Sequence, residues 1–207
     1  TLDCTILRIA PTRGPDVSLR IYPARKTDLG GIDTELAWLA MLASGEPFDG
    51  LDFSLANLAD LDFSGRSLQG TLLVGADLSR CSLASAKLAG ATLTRATLHE
   101  ASFEGADLSL ADLALVRANE ANFKGAQLVD TDFTGADLGK ASFDACEGES
   151  TQFVRARLGG ARFHGAHLRE ADFTAAQMEG ASFDGALLPE VRLYDVVAHG
   201  ASFRGVK

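Results

Sequence analysis

The chain has 207 residues, ordinary apolar and charged content, 21 glycines, and twelve Phe against one Trp and two Tyr. That length suits one or two domains, and no apolar run of 18 residues is present to form a membrane-spanning helix. A net charge of −9 disfavours direct nucleic-acid binding through phosphate neutralisation, and three sparse cysteines suggest a reducing, cytoplasmic setting rather than a disulfide framework.

The first residue is Thr rather than Met, and no charged-then-apolar leader precedes a cleavage site, so a short missing N-terminus or an excised module is expected. Residues 17–21 alternate like a half-buried strand, with residues 4–9 as the hairpin partner across residues 11–15. Residues 33–43 read as a helix, with Asp33 as N-cap, Gly45 as terminator and Pro47 beyond it. Its Trp38, Leu39 and Leu42 are placed to cover the start of the segment beyond Pro47. Residues 1–45 carry five acids and five bases, so they form a neutral capping segment.

Residues 46–207 hold the whole −9, and they are periodic. Every Phe, from Phe48 to Phe203, falls in one phase of five; of its 32 positions, 28 are Leu or Phe, with Ala118, Gly148, Met178 and Ala198 the departures. Two residues earlier, 20 of the 32 positions are Ala. A period of five fits neither a helix nor a plain strand. It fits a chain that turns a corner every five residues, with the small residue and the Leu or Phe inward, three residues outward, and glycine helping at the corners.

The units Ala76-Asp77-Leu78, Ala106-Asp107-Leu108, Ala121-Asn122-Phe123, Ala136-Asp137-Leu138 and Ala171-Asp172-Phe173 resemble the A-(D/N)-L-x-x motif of the pentapeptide-repeat family. The resemblance covers about three quarters of the chain. It implies an all-β solenoid, a right-handed quadrilateral β-helix with four pentapeptides to a coil and about eight coils. At ~4.8 Å per coil the rod is roughly 38 Å long. Residues 20 apart then stack, which puts Phe mostly on two opposite faces and Leu on the other two. Large rings facing smaller Leu is the expected filling of a narrow interior.

A filled interior leaves no substrate cavity, and the chemistry-bearing residues have structural readings. His99, His164, His167 and His199 all point outward, with no third ligand evident for a metal. Cys81 and Cys146 take the small inward position on different faces, as core fillers. The stacked Asp112, Asp132 and Asp172 sit on a convex wall, so they are expected to be solvated or to bond a turn. Glu104, Lys124, Asp144, His164, Asp184 and Arg204 form a column of alternating sign that should stabilise the stack. Gly148, flanked by Asp144, Glu147 and Glu149, should leave a dent or bulge, more an accommodation than a contact feature.

One outward column is nearly uncharged: Val74, Thr94, Ala114, Thr134, Val154, Thr174 and Tyr194. It is the expected protein-docking strip. At the C-terminal end, Leu187, Pro189, Tyr194 and Val197 face outward and no helix follows Phe203. Leu187, Val197 and Phe203 are therefore expected in an end-to-end homodimer, unless the natural chain continues. These features favour a non-enzymatic interaction or structural scaffold that binds another protein and uses no cofactor, metal, membrane or nucleic acid. The alternative, implied by the resemblance, is a DNA mimic acting on DNA gyrase or topoisomerase IV. The four walls carry about −2, −2, −1 and −4 with both signs intermixed, which is a poor imitation of phosphates.

Overall fold

A computed structural model describes residues 5–9, 17–21 and 47–207. Strands β1 (Thr5–Ile9) and β2 (Val17–Ile21) pair antiparallel, with Thr5 opposite Ile21 and Ile9 opposite Val17. Cys4 and the helix expected at residues 33–43 lie outside the described residues.

From Phe48 onward the chain winds as a solenoid. The residue before each central Leu or Phe bridges in parallel to the residue 20 later, from Asp52↔Leu72 and Asn57↔Asp77 to Ser182↔Ser202. Four pentapeptides therefore complete a turn, and the rod has four walls. We number them by their first central residues: Phe48, Phe53, Leu58 and Phe63. Extended pairing is mostly one residue long because every wall ends in a corner. A three-residue pairing occurs on the first wall, where β3 (Glu147–Glu149) lies parallel to β4 (His167–Arg169).

The backbone explains why five residues suffice. The central N–H donates to a carbonyl on the next turn, as Phe53 does to Leu72 at 2.7 Å, and the corner N–H does the same, as Leu55 does to Val74 at 2.9 Å. The small residue's N–H closes the corner, as Ala56 does to Phe53 O at 3.0 Å; the following N–H reaches back one turn, as Asp77 does to Ala56 O at 2.9 Å. Each corner residue has φ between 52° and 72°; fourteen are Gly, but eighteen are not. Left-handed backbone costs an L-residue ~1–2 kcal/mol, so the regular inter-turn bonds hold many residues in a conformation they disfavour alone.

The interior is closed. Central and small residues from Ala76 to Ala186 are buried on all four walls, Gly148 excepted. The rings do not face leucines, as expected; they meet one another. Phe103, Phe123, Phe143, Phe163, Phe183 and Phe203 stack along the fourth wall, and Phe133, Phe153 and Phe173 along the second, with centroids 4.5–5.2 Å apart. The two columns touch edge to face across the rod, at 5.4–5.9 Å. The rise per turn matches ring-stacking distance, and the edge-on contact sets the positive ring edge against the negative face.

The buried inward threonines are satisfied. Thr71, Thr131 and Thr151 donate their hydroxyls to the carbonyls of Phe48, Leu108 and Leu128 at 2.8–3.1 Å. A Cβ on Gly148 would collide with Thr151 Oγ1. Thr71 and Thr131 make the same bond beside Leu68 and Leu128, so the close approach belongs to the local backbone at Gly148, which runs in β3 where other turns make a single bridge.

Candidate functional site

The hydrogen-bond scheme leaves one backbone N–H per pentapeptide without a backbone acceptor: that of the residue after the central Leu or Phe. The motif aspartates and asparagines serve it. Asp52, Asp62, Asp77, Asp107, Asp112, Asp132 and Asp172 each accept the N–H two residues ahead through Oδ1, at 2.7–3.0 Å. Asn57 and Asn122 do so at 3.2 and 3.1 Å. A second solution places an acid one turn back. Asp49, Asp144 and Asp184 accept the N–H of Gln69, His164 and Arg204 at 2.9–3.0 Å. The stacked Asp112, Asp132 and Asp172 are thus turn-bonding residues. Burial raises the Asp172 pKa, but hydrogen bonds from Thr174 and the charge of Arg192 outweigh it, so the net shift is downward.

The other chemical candidates also resolve. Cys81 and Cys146 are buried free thiols; burial pushes Cys81 up to about 12 and Cys146 upward too, which keeps both unreactive. Among the described residues no His, Cys, Asp and Glu side chains cluster as metal ligands. Within the alternating column, Lys124 pairs with Glu104 at 3.2 Å and His164 lies 3.4 Å from Asp144. Asp184 meets Arg204 through its backbone N–H instead. Elsewhere Arg80 grips Asp60 through both carboxylate oxygens at 2.7 Å, and Arg169 reaches Glu149, Glu170 and Glu190. Acids and bases are paired along the rod at these positions, and residues 46–207 keep an excess of acid.

Concave features are slight. A shallow depression on the first wall centres on Gly148 and Leu168, rimmed by Glu147, Glu149, Arg169 and Pro189. Apolar exposure is more unevenly distributed. Val74, Thr94, Ala114, Thr134, Val154 and Thr174 lie half-buried in a line down the second wall, and Tyr194 ends that line, 69% exposed. Sequence reasoning missed the leucines beside them. Leu55, Leu72 and Leu115 are exposed on the same wall, and Leu110 at the corner leading into it. With Tyr194 these are five of the nine exposed large apolar side chains among the described residues; Leu193 is an inward residue uncovered on the last turn. The signal was available, because Leu55, Leu72, Leu110 and Leu115 stand out of phase with the inward Leu/Phe. Leu55 and Leu115 fold over the corners at Gly75 and Gly135, where a Cβ would come within 3 Å of their methyl groups.

The three residues expected at an end-to-end interface fall on the last turns. Val197 and Phe203 are exposed and Leu187 is half-buried.

A family profile for the pentapeptide repeat region matches residues 76–153 and 116–193, more than half of the chain. The chain belongs to the pentapeptide-repeat family. Among solved structures, this pentapeptide-repeat protein is similar to HetL from the cyanobacterium Nostoc sp. strain PCC 7120, a protein involved in heterocyst differentiation regulation. Identity is 23% over 82% of this chain and 92% of HetL, with a TM-score of 0.53. QnrB1, a plasmid-mediated fluoroquinolone resistance protein, shares 25% identity over 65% of this chain and 68% of its own, with a TM-score of 0.34. Rfr23 from the cyanobacterium Cyanothece 51142 shares 19% over 84% and 97%, with a TM-score of 0.28. The likeness to HetL speaks to fold. A search of curated proteins finds no match.

Proposed function

We propose that this pentapeptide-repeat protein is a non-enzymatic scaffold whose second wall docks another protein, in the cytoplasm, on a right-handed rod. The observation that carries this reading is the gathering of Leu55, Leu72, Leu110, Leu115 and Tyr194 on and beside one wall. Apolar surface concentrated in one strip stabilises association by leaving water, whereas single scattered side chains do not. The uncharged line from Val74 to Thr174 adds no desolvation of charge to that contact. Pairing of two copies through Leu187, Val197 and Phe203 belongs to the same reading.

The test is affinity capture with the purified chain, repeated with Thr134→Arg and Val154→Arg. A partner should be retained by the parent chain and by Lys140→Glu, on a different wall, and lost with either arginine. Equal retention by all variants would sink the second wall as the docking surface. Light scattering reads the pairing of copies, which Phe203→Glu should abolish.

The acidic balance of the rod supports a lesser reading, a DNA mimic that binds DNA gyrase or topoisomerase IV. A supercoiling assay with and without a quinolone decides it, and no inhibition and no protection at micromolar protein would exclude it.

A further inference from the structure

The fourth wall carries a serine column: Ser82, Ser102, Ser142, Ser182 and Ser202. Ser182 differs from the rest in its neighbours. His164 Nε2 lies 2.8 Å from Ser182 Oγ, and His164 Nδ1 lies 3.4 Å from Asp144 Oδ1. Arg162 Nη2 holds the other Asp144 oxygen at 3.0 Å, and Asp144 Oδ1 also accepts the His164 backbone N–H at 3.0 Å, which ties carboxylate and histidine together. A carboxylate facing Nδ1 favours the tautomer with its proton there, so Nε2 can accept the proton of the hydroxyl. Nucleophile, base and orienting group stand in order on three successive turns.

The repeat also offers a donor. In motif repeats the N–H after the central residue is taken by an aspartate two residues before it. Here that place is Ser182, and the Asp184 N–H has no acceptor among the described residues. The Asp184 carboxylate is turned to the next turn, where it accepts from Ser202 Oγ and the Arg204 N–H. An acyl group on Ser182 Oγ would bring its carbonyl oxygen to the region that aspartate Oδ1 occupies in other repeats. One N–H would then stabilise the oxyanion.

We propose that Ser182 is a reactive nucleophile, activated by His164 and positioned through Asp144, that accepts an acyl group from activated esters. The Oγ–carbon bond forms as the hydroxyl proton passes to His164 Nε2. The ester carbon–oxygen bond then breaks, and the leaving alcohol or phenol takes that proton, leaving an ester on Ser182. His164 is half-exposed and the wall is open, so small acyl donors reach the site without a cleft. The step is a single acylation, and it adds a reactive residue to a scaffold without requiring turnover.

The experiment uses the whole chain with p-nitrophenyl acetate, peptide mapping by mass spectrometry, and alkaline hydroxylamine, which removes serine esters and leaves lysine amides. The expected result is a hydroxylamine-labile acetyl group on Ser182 and none on Ser82, Ser102, Ser142 or Ser202. His164→Gln should slow that labelling at least ~10²-fold. Asp144→Asn should slow it about tenfold or more, with Asp144→Glu recovering part of the rate at an unchanged thermal midpoint. No ester on Ser182, equal labelling down the column, or unchanged labelling in His164→Gln would overturn the proposal.

Discussion

Removing one ring from the middle of the rod should cost far more than removing the same ring from its end. Phe123 is fully buried, stacked at 5.0 Å on Phe103 and 4.8 Å on Phe143, and edge-on to Phe133 at 5.4 Å. Phe→Ala in a closed core loses transfer energy and leaves a cavity, ~3–5 kcal/mol together. Three aromatic contacts, each ~0.5–1.5 kcal/mol, move Phe123→Ala toward about 5 kcal/mol. Phe203 is 40% exposed and stacks on one ring, Phe183, at 5.0 Å. Its removal leaves a space open to water, so Phe203→Ala should cost only ~1–2 kcal/mol. Urea unfolding of the two variants and the parent, fitted with a shared slope, gives both losses. Equal losses, or less than ~2 kcal/mol for Phe123→Ala, would refute the filled-core reasoning.

Asp132 accepts the Thr134 N–H at 2.7 Å, so Asp132→Ala should lower stability by ~1 kcal/mol while Asp132→Asn, which keeps the acceptor, changes it little; thermal midpoints decide. Leucine at Gly148 would restore the repeat yet destabilise the rod by ~1–3 kcal/mol, because its Cβ meets Thr151 Oγ1. Adding Thr151→Ala should relieve part of that loss in a double-mutant cycle. The Asp62 pKa is lowered by the Ser64 hydroxyl and N–H, and the Asp172 pKa is lowered too, Thr174 and Arg192 prevailing over burial. A folded pKa below the unfolded one stabilises above the unfolded value and is lost as pH falls through the folded one. Stability should therefore hold above about pH 5 and decline below about pH 4, less steeply in Asp62→Asn with Asp172→Asn, as tracked by unfolding across acid pH.

The phase of five was legible because its residues have one environment each: the inward Leu or Phe from Phe48 to Phe203 never shifts register. The same regularity identified the inward cysteines, while the turn of four repeats was implied by the resemblance to the pentapeptide-repeat family. Two features were harder to read. The meeting of the Phe133 and Phe143 rings depends on the width of the rod, which composition does not encode. The role of Asp and Asn depends on counting backbone donors; only then does the N–H of Thr134 or Lys124 emerge as the one needing an acceptor. On the second wall, an uncharged column was visible, but attention to inward positions hid Leu55 and Leu115, whose meaning lies in being out of phase. His164 was read as a solvated surface histidine, and its approach to Ser182 depends on side-chain direction between neighbouring turns.

The bonding of each residue to partners about twenty positions away has a consequence for how such a chain can change length. Deleting residues 91–110 would join two equivalent points on the helix, and every downstream side chain would keep its wall and a neighbour of the same kind. Deleting five residues would instead rotate everything downstream by a quarter turn, setting phenylalanine columns above leucine columns. A single-residue loss would turn inward groups out. Length in this rod is therefore quantised in units of one turn, with five residues as a costly half-measure and one as a break.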